Sequence, residues 1–397
     1  MTTLNNDKIK VTAVINDILL GGAQSVLLNI GSLVDKKKFD FTVCYINDYP
    51  VNTLQNFHNE FAAAGITHTN LGKGEKPRLL ISFLRLFWHI RRERPDILHC
   101  CLPDAVILGV AAGRLAGVKK IIIHEMNTHD FYSKKLEFFF MIARRFATLT
   151  ITYSETLETE LFGNHKVIQE PVTSISRKSL TIYNGIDLEK VVETKKQISF
   201  NEKRKELGIT PETTLIFSAA RLIGWKGFEY LIRAAPKVIS TFDDVVILIA
   251  GGGEQELFLK QLISRLGLSE KVRLLGPRTD VYDILAVTDI YPQALTYPEG
   301  FSSISISMSG MEAMAFGIPV IASRYPALYD GIEDKENALI VEPRAVDELA
   351  DALIFLVKNK EERQRIGRNA RRFVEEYFSS QKVAIIYESI YRALFKS

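Results

Sequence analysis

Cysteine is scarce in this sequence, and no apolar run is long. Three cysteines in 397 residues, Cys44 and the neighbours Cys100 and Cys101, make no disulfide framework and show no metal-ligand spacing. Reduced thiols in cytosol are the simple expectation. The longest apolar runs, such as "VVILIA" and "FFFMIA", fall far short of a bilayer crossing. The opening "MTTLNNDKIKVTAVIN" lacks the apolar segment of a signal peptide, so a cytoplasmic protein is expected. A strong excess of one charge is missing too. The net charge of +3 gives no reason to expect nucleic acid as a partner. No His/Cys cluster and no Asp-x-Asp pair stands out in the sequence, so no divalent-metal site is expected.

What is present is an ordinary globular balance, 47% hydrophobic and 24% charged, in a chain too long for one core. Short β-branched runs alternate with longer amphipathic stretches. Residues 10–15, 40–46, 97–100, 120–124 and 149–154 read as buried strands, and "AQSVLLNIGSLVD" and "RLLISFLRLFWHIRRER" carry helical spacing. The pattern restarts at 214–221, 245–253, 272–276, 289–295, 319–323 and 338–341. A polar, less periodic region around 160–180 and the phrase "IYNGIDLEK" separate the two series. The fold class is therefore α/β, with two doubly wound, Rossmann-like domains of parallel sheet covered by helices. Such sheets bind ligands beyond the carboxyl ends of their strands, and two facing each other would form a central cleft.

Unusual residues just after strands are the candidates for a site. Gly21 and Gly22 precede a helix whose first amides can face a phosphate or sugar; the alternative is a tight turn that needs φ above zero. In "IIIHEMNTHDF", His124 ends a strand and can place an imidazole against a reacting group, with His129 a second choice. "ARLIGWKGFEYLI" puts Arg221 at a strand end and Lys226 before a helix, two cations suited to a diphosphate. "ILIAGGGEQELF" lacks the glycine spacing of a dinucleotide fingerprint and reads as a structural turn. Arginines ring the apolar faces of "RLLISFLRLFWHIRRERP" and "KKLEFFFMIARRF". These helices either pack on a sheet or lie on an anionic membrane.

Taken in order, "GGAQ", "YNGID", "RLIGWKGFEYLIRA", "IAGGGEQELFLKQLISRLGLSEKVRLLG", "YPEGF" and "EAMAFGIPVIAS" resemble the family 4 retaining glycosyltransferases, which have the GT-B fold. They cover the C-terminal half almost continuously and the N-terminal half in patches. The resemblance implies an acceptor domain over 1–185, a nucleotide-sugar donor domain over 186–379, and a final helix, 380–397, packed back on the first. It implies that Arg221 and Lys226 hold the donor diphosphate and that Glu312 accepts hydrogen bonds from the ribose. Glu299 would hold the donor hexose with the loop residues Gly300, Phe301 and Ser302. Gly276, Pro277 and Arg278 would line the base pocket, Gly21 and Gly22 would let the first domain approach the phosphate, and His124 or His129 would bind the sugar. The nucleotide sugar is then a substrate, with neither cofactor nor metal.

The stretch between the two glutamates departs from the family. Twelve residues separate Glu299 from Glu312, more than the family places there. One alignment puts Ile304 in the place of the first carboxylate; the other keeps "YPEGF" and treats 303–307 as an insertion. About five extra residues inside a helix would turn everything beyond them by about 140° and shift it by about 7 Å. An insertion looped out before the helix avoids that. Ser309 and Glu312 form an S-x-x-E capping box, which sets the expected helix start near residue 310.

The expected function is transfer of a hexose or N-acetylhexosamine, from a UDP-sugar foremost, to a glycan or lipid-linked acceptor in cell-surface polysaccharide synthesis. Peripheral contact with the inner face of the cell membrane would run through the basic N-terminal domain. The alternative is an inactive GT-B scaffold with an altered donor loop.

Overall fold

Alternating strand and helix periods build two parallel sheets in the computed structural model, which describes residues 8–19, 21–47, 56–72, 79–126, 132–297, 306–325 and 331–397. The chain divides into two compact units, Met1–Gly185 with Ser380–Ser397, and Ile186–Ser379.

The first unit runs β1 (Ile9–Ile15), α1 (Gly22–Leu33), β2 (Phe39–Tyr45), α2 (His58–Ala63), β3 (Thr67–Asn70), α3 (Leu79–Glu93), β4 (Ile97–Cys101), α4 (Pro103–Leu115), β5 (Lys120–Glu125), α5 (Lys134–Phe146), β6 (Leu149–Thr152), α6 (Glu155–Phe162) and β7 (Ser179–Thr181). The strands lie in the order β3-β2-β1-β4-β5-β6-β7. The winding therefore reverses between β1 and β4. One face of the sheet packs Val26, Leu27 and Ile30 of α1 with Tyr387, Ile390 and Leu394 of the C-terminal helix. The other packs Leu86 and Ile90 of α3, Val106 and Val110 of α4, and Phe140 and Ala143 of α5.

The second unit runs α7 (Leu188–Gln197), α8 (Phe200–Glu206), β8 (Thr214–Ala219), α9 (Phe228–Thr241), β9 (Val245–Ala250), α10 (Glu256–Arg265), β10 (Val272–Gly276), α11 (Val281–Leu285), β11 (Tyr291–Gln293), α12 (Met308–Ala315), β12 (Val320–Ser323), β13 (Leu339–Val341), α13 (Val346–Lys358) and α14 (Lys360–Tyr377). α15 (Ser380–Lys396) then returns to the first unit. Two three-stranded ladders, β10-β9-β8 and β11-β12-β13, are joined by a parallel bridge between Ile216 and Ile290. The order of the first unit thus repeats, with its reversal between β8 and β11.

β3 and β7 lie outside the strands read from sequence. "THTN" and "SLT" have no apolar run, yet each completes an edge by pairing with its neighbour. β8 and β9 also end short of their readings, at Ala219 and Ala250, because turns begin there.

Candidate active site

The turn after β8 carries Arg221 and Lys226, and three glycines fix its path. Gly227 has φ +70°, and a Cβ there would stand 1.6 Å from the carbonyl oxygen of Ala294, just after β11. Behind the turn, a Cβ on Gly251 would stand 1.9 Å from the Ala220 carbonyl oxygen, and one on Gly253 would stand 2.5 Å from that of Leu222. The Leu222 amide donates to the Gly252 carbonyl at 2.9 Å. "AGGG" is thus a backbone-on-backbone support for the Arg221 turn. Arg221 sits two residues past the strand rather than at its end.

Thr296 closes the other side, its amide donating to the Trp225 carbonyl at 2.9 Å. The turns after β8 and β11 therefore meet at the point where the strand order reverses, the place where open α/β sheets take ligands.

Lys226 is enclosed there, and among the described residues no anion compensates it. Burial, then the charge of Arg221, pulls its ammonium down to about 8, and no carboxylate among the described residues opposes that shift. Its Nζ lies 4.1 Å from the centre of the Trp225 ring, whose face is a weaker partner than a carboxylate. Trp225 stacks on Tyr297 with centroids 5.0 Å apart, and Tyr297 meets Tyr325 edge-on at 5.1 Å. The Tyr297 amide donates to the Tyr325 hydroxyl at 2.7 Å. Sequence reasoning passed over this aromatic ladder. Its signal was adjacency: Trp225 precedes Lys226, and Tyr297 stands two residues before Glu299.

Glu312 is an enclosed acid further along the same sheet edge, apart from the Lys226 environment. It projects from α12 and accepts from the Tyr282 hydroxyl of α11 at 3.3 Å. Lys190 of α7 lies over the Tyr282 ring, with Nζ 4.8 Å from the ring centre. Glu312 keeps some accessible surface, yet its surroundings enclose it enough to raise its carboxyl to about 7. A group that is accessible but desolvated fits the floor of a pocket. Tyr291 of β11 ties this helix to the Arg221 turn. Its hydroxyl donates to the Ala219 carbonyl and accepts from the Ala219 amide, both at 3.1 Å, and it lies within reach of Ser309.

The helix that carries Glu312 differs from the capping-box reading. α12 begins at Met308 with Ser307 as N-cap, and no side chain caps it. Ser309 falls in the first turn, and Glu312 bonds Tyr282 instead of the helix end. The insertion reading is corrected at its C-terminal edge. Ile306 is fully buried, and the Ser307 amide donates to Gln293 Oε1 at 2.7 Å, so residues 306–307 belong to the packed structure. Glu299, Gly300, Phe301, Ser302 and Ile304 lie outside the described residues.

Gly276 ends β10 with φ +70° and its carbonyl accepts from the Gly251 amide at 2.8 Å. Pro277 packs beside Gly252, where a Cβ would stand 3.1 Å from the proline ring. The Arg278 side chain is held elsewhere: its Nε donates to Asp280 at 2.7 Å, and its Nη2 pairs with Glu206 at 3.2 Å. This guanidinium is thus already engaged by two carboxylates.

In the first unit, Gly21 is the N-cap of α1 with φ −171°, an extended conformation open to any residue, which corrects the φ-above-zero alternative. Space is the constraint instead. A Cβ on Gly21 would stand 2.6 Å from Gln24 Oε1, and Gln24 Nε2 is anchored by Asp17 Oδ1 at 2.9 Å. Gly22 opens the helix itself.

His124 is not the exposed imidazole expected at a strand end. It is fully buried, because β5 continues to Glu125 and α15 covers the ring. Its Nδ1 is 3.3 Å from His99 Nε2, its Nε2 is 3.3 Å from the Tyr387 hydroxyl, and His99 Nδ1 is 2.9 Å from the Tyr391 hydroxyl. Burial and then His99 hold its pKa well below the usual histidine range, so it is a neutral core histidine. His129 lies outside the described residues. The sequence showed no His/Cys cluster, but β4 and β5 bring His99, Cys101 and His124 together, with donor atoms within 4.8 Å of one another. Separation of 25 residues between the histidines hid that group from a spacing search.

Comparison with known proteins decides the family. The family model "Glycosyltransferase Family 4" matches residues 20–190, and "Glycosyl transferases group 1" matches residues 199–373. The chain belongs to the family 4 glycosyltransferases. This glycosyltransferase is 27% identical over 310 residues to the N-acetyl-alpha-D-glucosaminyl L-malate synthase of Bacillus anthracis, covering 76% of this chain and 75% of that protein. It is 25% identical over 366 residues to the UDP-Gal:alpha-D-GlcNAc-diphosphoundecaprenol alpha-1,3-galactosyltransferase of Escherichia coli, covering 89% of each. Among solved structures, Anabaena HepE in complex with UDP-glucose superposes with a TM-score of 0.77 at 21% identity, covering 96% of this chain and 98% of that one. The fold of this glycosyltransferase is accordingly GT-B, with two Rossmann-like sheets.

Proposed function

We propose that this glycosyltransferase moves a hexose or N-acetylhexosamine from a nucleotide sugar, a UDP-sugar foremost, to a glycan or lipid-linked acceptor in cell-surface polysaccharide synthesis. The observation that carries the reading is the desolvated cation pair at the strand reversal, which no described carboxylate opposes. Lys226 is desolvated beside Arg221, and among the described residues no carboxylate balances it, a cost that a diphosphate would remove. Enclosed Glu312 suits ribose hydroxyls, which would donate to its carboxylate. The backbone of Gly276 and Pro277 would border the base.

In this reading the acceptor hydroxyl forms a bond to the anomeric carbon while the bond from that carbon to the diphosphate oxygen breaks. The hydroxyl proton passes to the departing diphosphate, and attack on the same face retains configuration. Arg221 and Lys226 stabilise the charge that develops on the leaving oxygen, the work a divalent cation does elsewhere. Glu299 with Gly300, Phe301 and Ser302 would hold the donor sugar. His129 is the histidine left to approach the sugar, since His124 is in the core. The acceptor, when lipid-linked, is met at the inner face of the membrane.

Calorimetry with UDP-, GDP- and ADP-sugars tests the donor site directly. Saturable heat with a UDP-sugar is expected, followed by transfer that survives EDTA and gives a product of unchanged anomeric configuration by NMR. Absence of heat with all three classes would instead favour the inactive scaffold.

A further inference from the structure

Two helices of the first unit carry an apolar stripe that the fold does not use. α3 and α5 flank α4 on one face of the seven-stranded sheet, and their inner sides supply Leu86, Ile90, Phe140 and Ala143 to the core. On the outer side of α3, Leu80, Leu84 and Trp88 repeat every four residues and are 71%, 47% and 65% exposed. On α5, Phe138, Ile142 and Phe146 repeat the same spacing at 55%, 38% and 56%, with Phe139 and Met141 beside them. An amphipathic helix on a sheet keeps its solvent side polar. These two are apolar on both sides.

The charges around the stripes have one dominant sign. Arg91 and Arg92 at the end of α3, and Lys134, Lys135 and Arg145 on α5, are exposed, against the exposed acids Glu93 and Glu137. Glu93 is already 3.7 Å from Arg92. Arg144 is turned inward to Glu125 at 3.1 Å.

We propose that the α3–α5 face docks on an anionic lipid bilayer, with Trp88, Phe138 and Phe146 entering the headgroup–acyl boundary. Leucine and aromatic side chains bordered by lysine and arginine suit that boundary, where apolar burial and attraction to anionic lipid add. A second copy of this chain fits less well, because a two-fold contact would set the basic borders against each other. Among the described residues no helix is long and apolar enough to cross a membrane, so the contact is at the surface. The inference deepens the proposed function by supplying the surface where a lipid-linked acceptor is met, and it is tested by binding rather than turnover.

Sedimentation of the full chain with phosphatidylcholine vesicles, with and without phosphatidylglycerol, reads the partition. Binding to the anionic vesicles, weakening as salt rises, is expected. The triple variant Trp88→Ser, Phe138→Ser, Phe146→Ser should bind at least about tenfold more weakly, with its melting point kept because all three side chains are exposed. Should that variant not fold, Arg91→Ser with Arg92→Ser and Arg145→Ser tests the electrostatic half and should flatten the salt dependence. Quenching of Trp88 by bromine-labelled lipid, in a Trp225→Phe background, locates the face directly. Wild-type protein that ignores anionic vesicles, a folded triple variant that binds them equally, or a dimer in solution that the triple variant dissolves would each overturn the proposal. Loss of vesicle binding leaves transfer to a soluble acceptor untouched, so this failure and failure of the proposed reaction are separable.

Discussion

His124 in the first unit and Lys226 in the second are both enclosed bases whose pKa falls, yet their surroundings differ in kind. His124 has a partner at each ring nitrogen, His99 on one side and Tyr387 on the other, and it rests neutral. Among the described residues, Lys226 has only an aromatic face and another cation. The first arrangement is complete as it stands, as buried polar groups in a core generally are. In the proposed function, the second is completed by the donor diphosphate. Burial and a shifted pKa are common to both. What separates a core group from a site is whether the protein itself supplies the counterpart.

Replacing Lys226 by Ala should break the comparison most sharply. Turnover is expected to fall about 100- to 1000-fold, the scale of losing one preorganised group at a developing charge. Stability should hold or rise. The folded pKa of about 8 lies below the unfolded value of 10.5, so the unfolded chain binds more protons between them. Wild-type stability therefore rises with pH across that window, and the charged lysine costs the folded state below it. Melting curves at pH 7 beside an activity assay decide the matter, and unchanged turnover would remove Lys226 from the mechanism.

His124→Ala should show the reverse pattern. The variant leaves His99 and Tyr387 without their partner and opens space under α15. About 2–4 kcal/mol of stability should be lost, as for other buried networks broken on one side. Transfer per folded molecule should remain. A variant that melts like wild type but has lost transfer would return His124 to the active site.

The same contrast explains what the sequence made legible. Alternating periods disclosed the two parallel sheets, because strands buried on both faces must be apolar runs, as Val245–Ala250 is. They missed β3 and β7, whose polar residues are strands only because a neighbour offers an edge. Arg221, Lys226 and Glu312 were legible because each sits in a local phrase beside a turn or helix end. The burial of His124 was not, since it depends on α15, some 263 residues further along. The packing of Ser307 was hidden for a similar reason: its partner Gln293 lies in β11, 14 residues earlier. Trp225, Tyr297 and Tyr325 come from three separate turns, and only the folded sheet gathers them.

Glu312 gives the smallest and most specific effect, because it shares enclosure with His124 and incompleteness with Lys226. Its carboxyl titrates near 7 and the Lys226 ammonium near 8, so the free enzyme holds both charges only in a narrow interval. In the proposed function, donor hydroxyls need the carboxylate and the diphosphate needs the ammonium. The donor kcat/KM should therefore fall below pH 7 as Glu312 takes up a proton, and above pH 8 as Lys226 loses one. Glu312→Gln should remove the acid limb and weaken donor binding about tenfold, the scale of a hydrogen bond to a charged group. Stability supplies an independent check. The folded pKa lies above the ordinary 4.5, so the folded state binds more protons than the unfolded chain between 4.5 and 7, and wild-type stability declines as pH rises through that range. The glutamine variant should lack this contribution to the slope. An acid limb that persists in Glu312→Gln would assign that limb to another group, and the carboxylate would then be a helix residue that merely faces Tyr282.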